Sequence, residues 1–307
     1  MGTTFNPFPN VPNVPKEIEN AALSGELVVF IGAGISRLVK CPSWEGFADK
    51  ILEQLVPETI DYYELSQLKS ISDPKKKLSI ARIFAQDKKI EFNYRTIFAP
   101  EVKEPNIYSY LNKLNCAFIT TNYDKFLIPQ SRKFEPEERW RFYLKKDLLR
   151  EKIDVNGNVI HLHGCIDDPE SMIITTKDYL DHYSNLFIRD FLTYLFESKT
   201  VLFLGYGLEE IEVLEYILRR GNATNKKVIQ YTRRFLLQGF FHAEKTLFEM
   251  LKRYYLEAFD AEIISFPKDY KYYSQQEDIL AKWAEKLAFR RMSLIDEVDA
   301  LEDEING

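Results

Sequence analysis

The sequence predicts an α/β protein built on a parallel sheet. Short runs rich in β-branched and aromatic residues indicate about six buried strands, and they alternate with helical segments in which apolar residues return every three or four positions. This alternation is typical of a Rossmann-like parallel sheet with helices on both faces. The strand runs are LVVFI from Leu27, CAFIT from Cys116, VIHLH from Val159, VLFLG from Val201, KVIQY from Lys227 and EIISF from Glu262. The helical segments include WEGFADKILEQL, NLFIRDFLTYLFES and LEEIEVLEYILRR.

In chain order, the segments predict three parts. Residues 1–19 contain the proline-spaced NPFPNVPNVP and are predicted to form a stiff extended arm. Residues 20–273 are assigned to one domain, whose first two strands lie about 80 residues apart, whereas a β-α-β unit needs about 30. Residues 43–115 are therefore predicted to form an inserted helical subdomain over the carboxyl edge of the sheet. A polar interruption covers about 130–157, and residues 274–307 are predicted to form a charged helical tail.

Composition excludes several classes of protein. The chain has 307 residues, of which 45% are hydrophobic and 29% charged, and this indicates a globular protein. No apolar segment approaches the roughly 20 residues of a membrane span, and the first residues lack a secretory pattern, so we expect no membrane partner and a cytoplasmic location. A net charge of -6 disfavours direct nucleic-acid binding. The basic runs DPKKKLS and RRFLLQ are typical of solvated loops or helix ends.

The three cysteines, Cys41, Cys116 and Cys165, form no C-x-x-C pair. Neither a disulfide framework nor a four-thiolate zinc site can be assembled from them. We therefore expect them to be small buried apolar residues and expect no metal site.

A glycine turn follows the first strand in ELVVFIGAGISRL, residues 26–38. Gly32 and Gly34 there would let backbone N–H groups approach an anion, most commonly phosphate, at the start of a helix. The turn lacks the Lys-Ser/Thr pair of a P-loop, and Arg37 replaces the third glycine of G-x-G-x-x-G, which disfavours an ordinary dehydrogenase. The alternative is that the glycines only permit a tight turn.

Polar residues follow the next two strands of the predicted sheet. FITTNYDKF places Asn122 and Asp124 just past one run, and VIHLHGC places His163 on the last residue of another. Since parallel strands end at one edge of the sheet, these residues and the glycine turn are expected to converge on one crevice. Strand periodicity places His161 and His163 on the same face, so at most one needs to be catalytic. The alternatives are a histidine that serves only as a core or surface side chain and an asparagine that serves a turn.

These motifs resemble those of a known family. GAGIS, TTNYD and HLHG resemble, in the same order, the three motifs of the sirtuin superfamily. LFLGYGLEE and CPSW resemble segments of its bacterial sirtuin-like branch, and the resemblance covers roughly residues 20–266.

The resemblance implies an NAD-binding site with a division of roles. Asn122 and Asp124 would face the nicotinamide ribose, and His163 would be the catalytic base. Tyr231 and Thr232 are further candidates for the adenosine end. Gly32, Ala33, Gly34 and Ser36 would hold the NAD diphosphate, and Gly205 and Gly207 would let the backbone approach the adenosine half. Thr121 is a further implied NAD-binding residue.

Departures from the family pattern bear on the reaction. Protein-deacylating sirtuins carry paired cysteines after the H-G motif, whereas Cys165 stands alone and residues 167–200 indicate helices, so no structural zinc is expected. The resemblance then implies a zinc-free NAD+ hydrolase that consumes NAD as substrate and acts in bacterial anti-phage defence by abortive infection. It implies control by a homo-oligomer or by a partner, such as a HerA-like ATPase or another sensor protein. The alternatives are an NAD-dependent protein deacylase and a non-catalytic sensor of NAD or ADP-ribose.

Overall fold

The computed structural model describes residues 7–130, 140–143, 147–205 and 234–288. Within these residues, seven parallel strands form one sheet in the order β3-β4-β2-β1-β5-β6-β7. The predicted parallel α/β sheet is thereby confirmed, with a strand count close to the expected six. The strands are β1 (Leu27–Ile31), β2 (Ala117–Thr120), β3 (Arg141–Phe142), β4 (Val159–His161), β5 (Thr200–Leu204), β6 (Arg234–Phe240) and β7 (Ala261–Pro267).

Five of the six predicted runs form strands, namely β1, β2, β4, β5 and β7. The KVIQY run and the LEEIEVLEYILRR pattern lie outside the described residues, as do Gly207, Tyr231 and Thr232. One boundary is wrong, because β4 ends at His161 and His163 lies two residues beyond it.

The prediction for RRFLLQ is wrong for residues 234–238, because they begin β6, which pairs with β5 and β7 inside the sheet. Arg234 is only 5% exposed, and its Nη1 donates to the carbonyl oxygen of Phe259 at 2.6 Å. Its guanidinium also lies 5.6 Å from the centre of the Phe196 ring. The buried charge of Arg234 is thus stabilised by the Phe259 carbonyl and the Phe196 ring, which are distant in sequence, instead of by solvent.

Residues 43–115, where the sequence predicts a helical insertion, form the helices α3 to α7 and no strand. α3 follows Ser43, whose Oγ accepts from the Gly46 amide, and α4 begins at a capping box formed by Asp61 and Glu64. The helices are α1 (Lys16–Ser24), α2 (Ala33–Leu38), α3 (Trp44–Glu53), α4 (Tyr62–Lys69), α5 (Pro74–Lys88), α6 (Arg95–Phe98), α7 (Ile107–Leu111), α8 (Thr176–Tyr183), α9 (Leu186–Ser198) and α10 (Lys245–Phe259), followed by a C-terminal helix at 275–288.

The sheet separates two apolar layers, as strand periodicity requires. Leu27, Val29 and Ile31 of β1 face a layer that contains α1, the insertion and the C-terminal helix. Val28 and Phe30 face the opposite layer, which contains α9 and α10. Helices therefore cover both faces. None of the helices in the described ranges has the length and apolar character of a membrane span.

The described part of the N-terminal arm packs against the domain. Phe8 is 1% exposed, and the Pro7 carbonyl accepts from Ser265 Oγ at 2.5 Å. Trp283 of the C-terminal helix is buried and donates through Nε1 to the Pro12 carbonyl at 2.8 Å. Residues 7–15 and 275–288 therefore belong to the packing of the α/β domain.

Candidate active site

The sheet reverses its strand order between β1 and β5, because β2 lies on one side of β1 and β5 on the other. Such switch points are where open α/β sheets bind ligands, outside the carboxyl ends of the strands. The turn after β1 meets the end of β5 here. The Gly32 amide donates to the Leu204 carbonyl at 2.9 Å, and the Gly34 amide donates to the Gly205 carbonyl at 2.8 Å.

Both Gly34 and Gly205 are required by this close approach. A Cβ on Gly34 would lie 2.8 Å from the Cα and O atoms of Gly205. Gly205 has a φ of +60°, and a Cβ there would lie 2.4 Å from the Ile35 nitrogen. The amides of Gly32 and Gly34 already donate within the protein, so they are not available to a ligand. Ala33 is the first residue of α2, so its amide has no intrahelical acceptor and could donate to a ligand at the turn.

A cleft of about 710 Å³ opens beside the two glycines. Its volume lies in the usual range for small-molecule sites, roughly 300–1,000 Å³. Two cations line it: Lys271, whose Nζ lies 2.7 Å from Asp278, and Arg37, for which no ion pair is found among the described residues. The remaining lining residues are Ala33, Gly34, Leu38, Ser43, Trp44, Gly205, Leu237, Gln238, Tyr272, Tyr273, Ser274 and Gln276.

Asn122 lies against the glycine turn, as the convergence of strand ends predicts. Its Nδ2 donates to the Gly32 carbonyl at 3.0 Å, and its backbone amide donates to Thr120 Oγ1 at 3.0 Å. The preceding Thr121 donates its amide to Ile31 at 3.3 Å. Asn122 is 7% exposed, so its carboxamide is held at the border between the turn and the interior.

Asp124 and Ser36 form a buried polar network with a residue that sequence reasoning missed. Ser36 Oγ donates to Asp124 Oδ2 at 2.6 Å and lies 3.0 Å from the hydroxyl of Tyr108 in α7. The Phe126 amide donates to Asp124 Oδ1 at 3.2 Å. Burial raises the pKa of Asp124, and these hydrogen bonds oppose the rise. The network ties the inserted subdomain to the ends of β1 and β2.

His163 is fully buried and faces α8. Its Nε2 lies 2.7 Å from the Tyr183 hydroxyl, and the Tyr179 hydroxyl lies 3.4 Å from Nδ1. Burial, followed by the nearby charges of His182 and Lys75, lowers the pKa of His163 well below its usual value. The tyrosines are four residues apart on one face of α8, and this spacing is their only signal in the sequence.

His161 has different partners, although periodicity places it on the same face as His163. Its Nδ1 lies 2.9 Å from the Asn122 carbonyl, and its Nε2 lies 2.5 Å from Arg141 Nη1. The periodicity rule does not extend to His163, because β4 has already ended. Asn122, Asp124 and His163 are not among the residues that line the cleft.

The three cysteines are free and buried, as predicted. Burial raises the pKa of Cys41 to about 12, with a further contribution from Asp124. Within the part of the chain that the structure describes, no group of three or more His, Cys, Asp and Glu side chains is placed to hold a metal ion.

These features define the class of protein. A glycine turn at the switch point of a parallel sheet, a cleft beside it and a carboxamide at the end of the next strand are typical of an open α/β domain whose ligand-binding crevice lies at the carboxyl ends of its strands.

Comparisons with known proteins narrow the class. Residues 116–259 match the family model described as a SIR2-like domain. The chain is 25% identical over 214 residues to Defense-associated sirtuin 2 of Bacillus subtilis, covering 66% of this chain and 20% of that protein. It is 24% identical over 215 residues to NAD(+) hydrolase ThsA of Bacillus cereus (strain MSX-D12), covering 67% of this chain and 42% of that protein. The resemblance to the sirtuin superfamily, in its bacterial sirtuin-like branch, is confirmed. The chain spans less than half the length of either relative.

Proposed function

We propose that the protein is an NAD+ hydrolase that cleaves the bond between nicotinamide and ribose to give nicotinamide and ADP-ribose. The observation that carries the proposal is the contact between Asn122 Nδ2 and the Gly32 carbonyl beside the cleft at the switch point. It joins the nucleotide-binding turn to a carboxamide suited to the sugar. A relative that bears the name NAD(+) hydrolase supports the same reaction.

The difficulty of this reaction lies at the ribose. Nicotinamide leaves a cationic ring as a neutral pyridine and needs little acid assistance, whereas the sugar carbon develops oxocarbenium character and must receive water. Asn122 uses one N–H of its amide for Gly32, and this bond fixes the plane of the carboxamide. We propose that the remaining polar atoms of Asn122 orient the water or a ribose hydroxyl. Asp124, tied to Ser36, supports the same loop.

His163 is the proposed general base. A depressed pKa keeps its imidazole neutral at pH 7, and positioned general-base catalysis contributes typically about 10² to 10⁴-fold. The Tyr183 hydroxyl lies against Nε2 and α8 buries the ring, so a reacting hydroxyl has to take the place of Tyr183. Displacement of α8 would also rehydrate His163 and raise its basicity. This closed arrangement suits an enzyme that is silent until a signal arrives.

We further propose that the protein acts in bacterial anti-phage defence, in the cytoplasm, by depleting NAD. A relative named as a defence-associated sirtuin supports this role. Unrestrained NAD loss is toxic, so we propose that a homo-oligomer or a partner, such as a HerA-like ATPase, controls the activity.

The test is nicotinamide release from NAD, measured by chromatography, with any co-purified partner present. Asn122→Ala and His163→Ala should each lower the release by at least about 10²-fold, because both remove groups that act on the reacting sugar. His242→Ala is the matched control, since His242 lies on the surface and pairs with Asp269 at 2.5 Å. Circular dichroism should show all three variants folded.

Other outcomes identify the alternatives. Undiminished release by both Asn122→Ala and His163→Ala would remove these residues from the mechanism. Release that requires an acetyl-lysine peptide would indicate a protein deacylase. Binding of NAD or ADP-ribose with no turnover, with and without the partner, would indicate a sensor.

A further inference from the structure

His161 is a fully buried histidine that the proposed mechanism does not use. It is the last residue of β4, and its ring lies between two groups. Arg141 Nη1 lies 2.5 Å from Nε2, and the Asn122 carbonyl oxygen lies 2.9 Å from Nδ1.

The chemistry of these partners fixes the state of the ring. An arginine guanidinium only donates hydrogen bonds, so Nε2 of His161 must accept. A carbonyl oxygen only accepts, so Nδ1 must carry the proton and donate it to Asn122. Burial, reinforced by the charge of Arg141, lowers the pKa of His161 to about 3. His161 is therefore a neutral imidazole with both nitrogens engaged, and this excludes it as the base that accepts a proton from substrate.

Arg141 holds the same loop at two further points. Its Nη2 donates to the Leu127 carbonyl at 2.5 Å and to the Lys125 carbonyl at 3.3 Å. The guanidinium can reach them because β3 pairs with β4, with Arg141 opposite Val159. Two side chains from neighbouring strands thus engage three carbonyls of residues 122–127, the loop that carries the carboxamide.

We propose that Arg141 and His161 are positioning residues for Asn122: the guanidinium orients the imidazole, and the imidazole fixes the backbone from which the carboxamide projects. The inference rests on the proposed function, since it assigns these residues a purpose within that site. Asn122 is also held through its bonds to Gly32 and Thr120 and through a side-chain hydrogen bond with Tyr108. Displacement by about 1 Å of a group that orients substrate can cost about 10²-fold in rate.

The kinetic test uses Arg141→Ala, His161→Ala and His161→Gln in the full chain, with partner where turnover requires it. The two alanine variants should lower kcat for nicotinamide release by about 10²-fold and change KM for NAD by less than about 3-fold, because alignment fails while the cleft is intact. His161→Gln, which can still donate to Asn122 and accept from Arg141, should recover at least about one tenth of the wild-type kcat. Arg150→Ala is the matched control, because Arg150 lies on the surface of the same 130–157 segment beside Asp190. It should stay within about 2-fold of wild type.

A second measurement does not depend on turnover. Nitrogen-15 NMR of the wild-type histidines should show His161 as the neutral Nδ1–H form, without titration, from pH 5 to 8. Hydrogen exchange of residues 122–127 should be faster in Arg141→Ala than in Arg150→Ala by at least about 10-fold, because the contacts of Arg141 with two carbonyls of this loop and with the His161 ring are lost together.

The outcomes separate the two proposals. Titration of His161 near pH 6.5, an Nε2–H form, or a kcat in Arg141→Ala equal to that of Arg150→Ala would overturn the positioning role. If wild type releases no nicotinamide with or without partner, the proposed function fails, and the NMR and exchange results still decide whether Arg141 and His161 hold the Asn122 loop. If Arg141→Ala does not fold, His161→Gln and the wild-type spectrum carry the test.

Discussion

The two sides of the carboxyl edge are built differently. On the β1/β5 side, Gly34 and Gly205 touch through their backbones and a cleft of about 710 Å³ opens beside them. On the β2/β4 side, Asn122, Asp124 and His163 are at most 7% exposed and are engaged by other protein groups.

Under the proposed function, the difference separates ligand binding from the chemical step. The open side consists of backbone and surface cations, so the proposed nucleotide would enter it without displacing a buried side chain. The closed side consists of buried, hydrogen-bonded side chains, and in the proposed reaction it would have to exchange protein partners such as Tyr183 for substrate. Changes on the glycine side should therefore affect folding or ligand affinity, whereas changes on the imidazole side should affect turnover and the response to pH.

The largest effect is expected on the glycine side. Gly205→Ala should lower the free energy of unfolding by about 3 kcal/mol, because alanine is strained at a φ of +60° and its Cβ would lie 2.4 Å from the Ile35 nitrogen. Urea unfolding followed by fluorescence measures it. Gly46→Ala is the control, since Gly46 lies in α3 and its Cβ would lie 3.3 Å from that of Pro42. It should change the stability by less than about 1 kcal/mol. Equal losses of stability in Gly205→Ala and Gly46→Ala would contradict the close backbone contact at Gly205.

Acid should weaken the imidazole side. Because the folded-state pKa of His161 is about 3 and its unfolded value is 6.5, the unfolded chain binds one more proton at this site between those pH values. Stability from His161 is thus complete above pH 6.5 and declines by about 1.4 kcal/mol per pH unit below it. The raised pKa of Asp124 acts in the opposite direction in both proteins, so the comparison of wild type with His161→Gln isolates the histidine.

Unfolding free energies between pH 7 and 5 should therefore fall more steeply in wild type than in His161→Gln, by about 2 kcal/mol over the range from pH 6.5 to 5. Parallel pH profiles of the two proteins would show that His161 is not held neutral by the fold.

The smallest effect concerns ligand affinity on the glycine side. Arg37→Ala should weaken ADP binding about 5-fold, because the substitution removes a cleft cation that could attract the diphosphate. Arg37 has no ion-pair partner among the described residues. The difference in ADP affinity between wild type and Arg37→Ala should shrink as the salt concentration rises from about 0.05 to about 0.5 M, because this increase shortens the Debye length about threefold. Calorimetry measures it, with Arg253→Ala as the control, since Arg253 pairs with Glu257 on the exposed face of α10. Equal affinities of the two variants would place the diphosphate elsewhere.

Much of the fold follows from local sequence. The strands β1, β2, β4, β5 and β7 can be predicted from the sequence because each is a short apolar run bounded by turn residues. The failure at β6 is instructive: Arg234 made a buried strand resemble a solvated basic run, and its acceptor, the carbonyl of Phe259, lies 25 positions away.

The sequence by itself determined the class of fold, the glycine turn and the position of Asn122 beside it, because strand periodicity and the shared edge of parallel strands are properties of chain order. Only the tertiary structure decided which groups engage the site: Tyr108 on Asp124, Tyr179 and Tyr183 on His163, and Arg141 on His161. These contacts join residues 16 to 20 positions apart across different elements. Their geometry depends on how the helices and strands pack, and no local pattern of side chains specifies it.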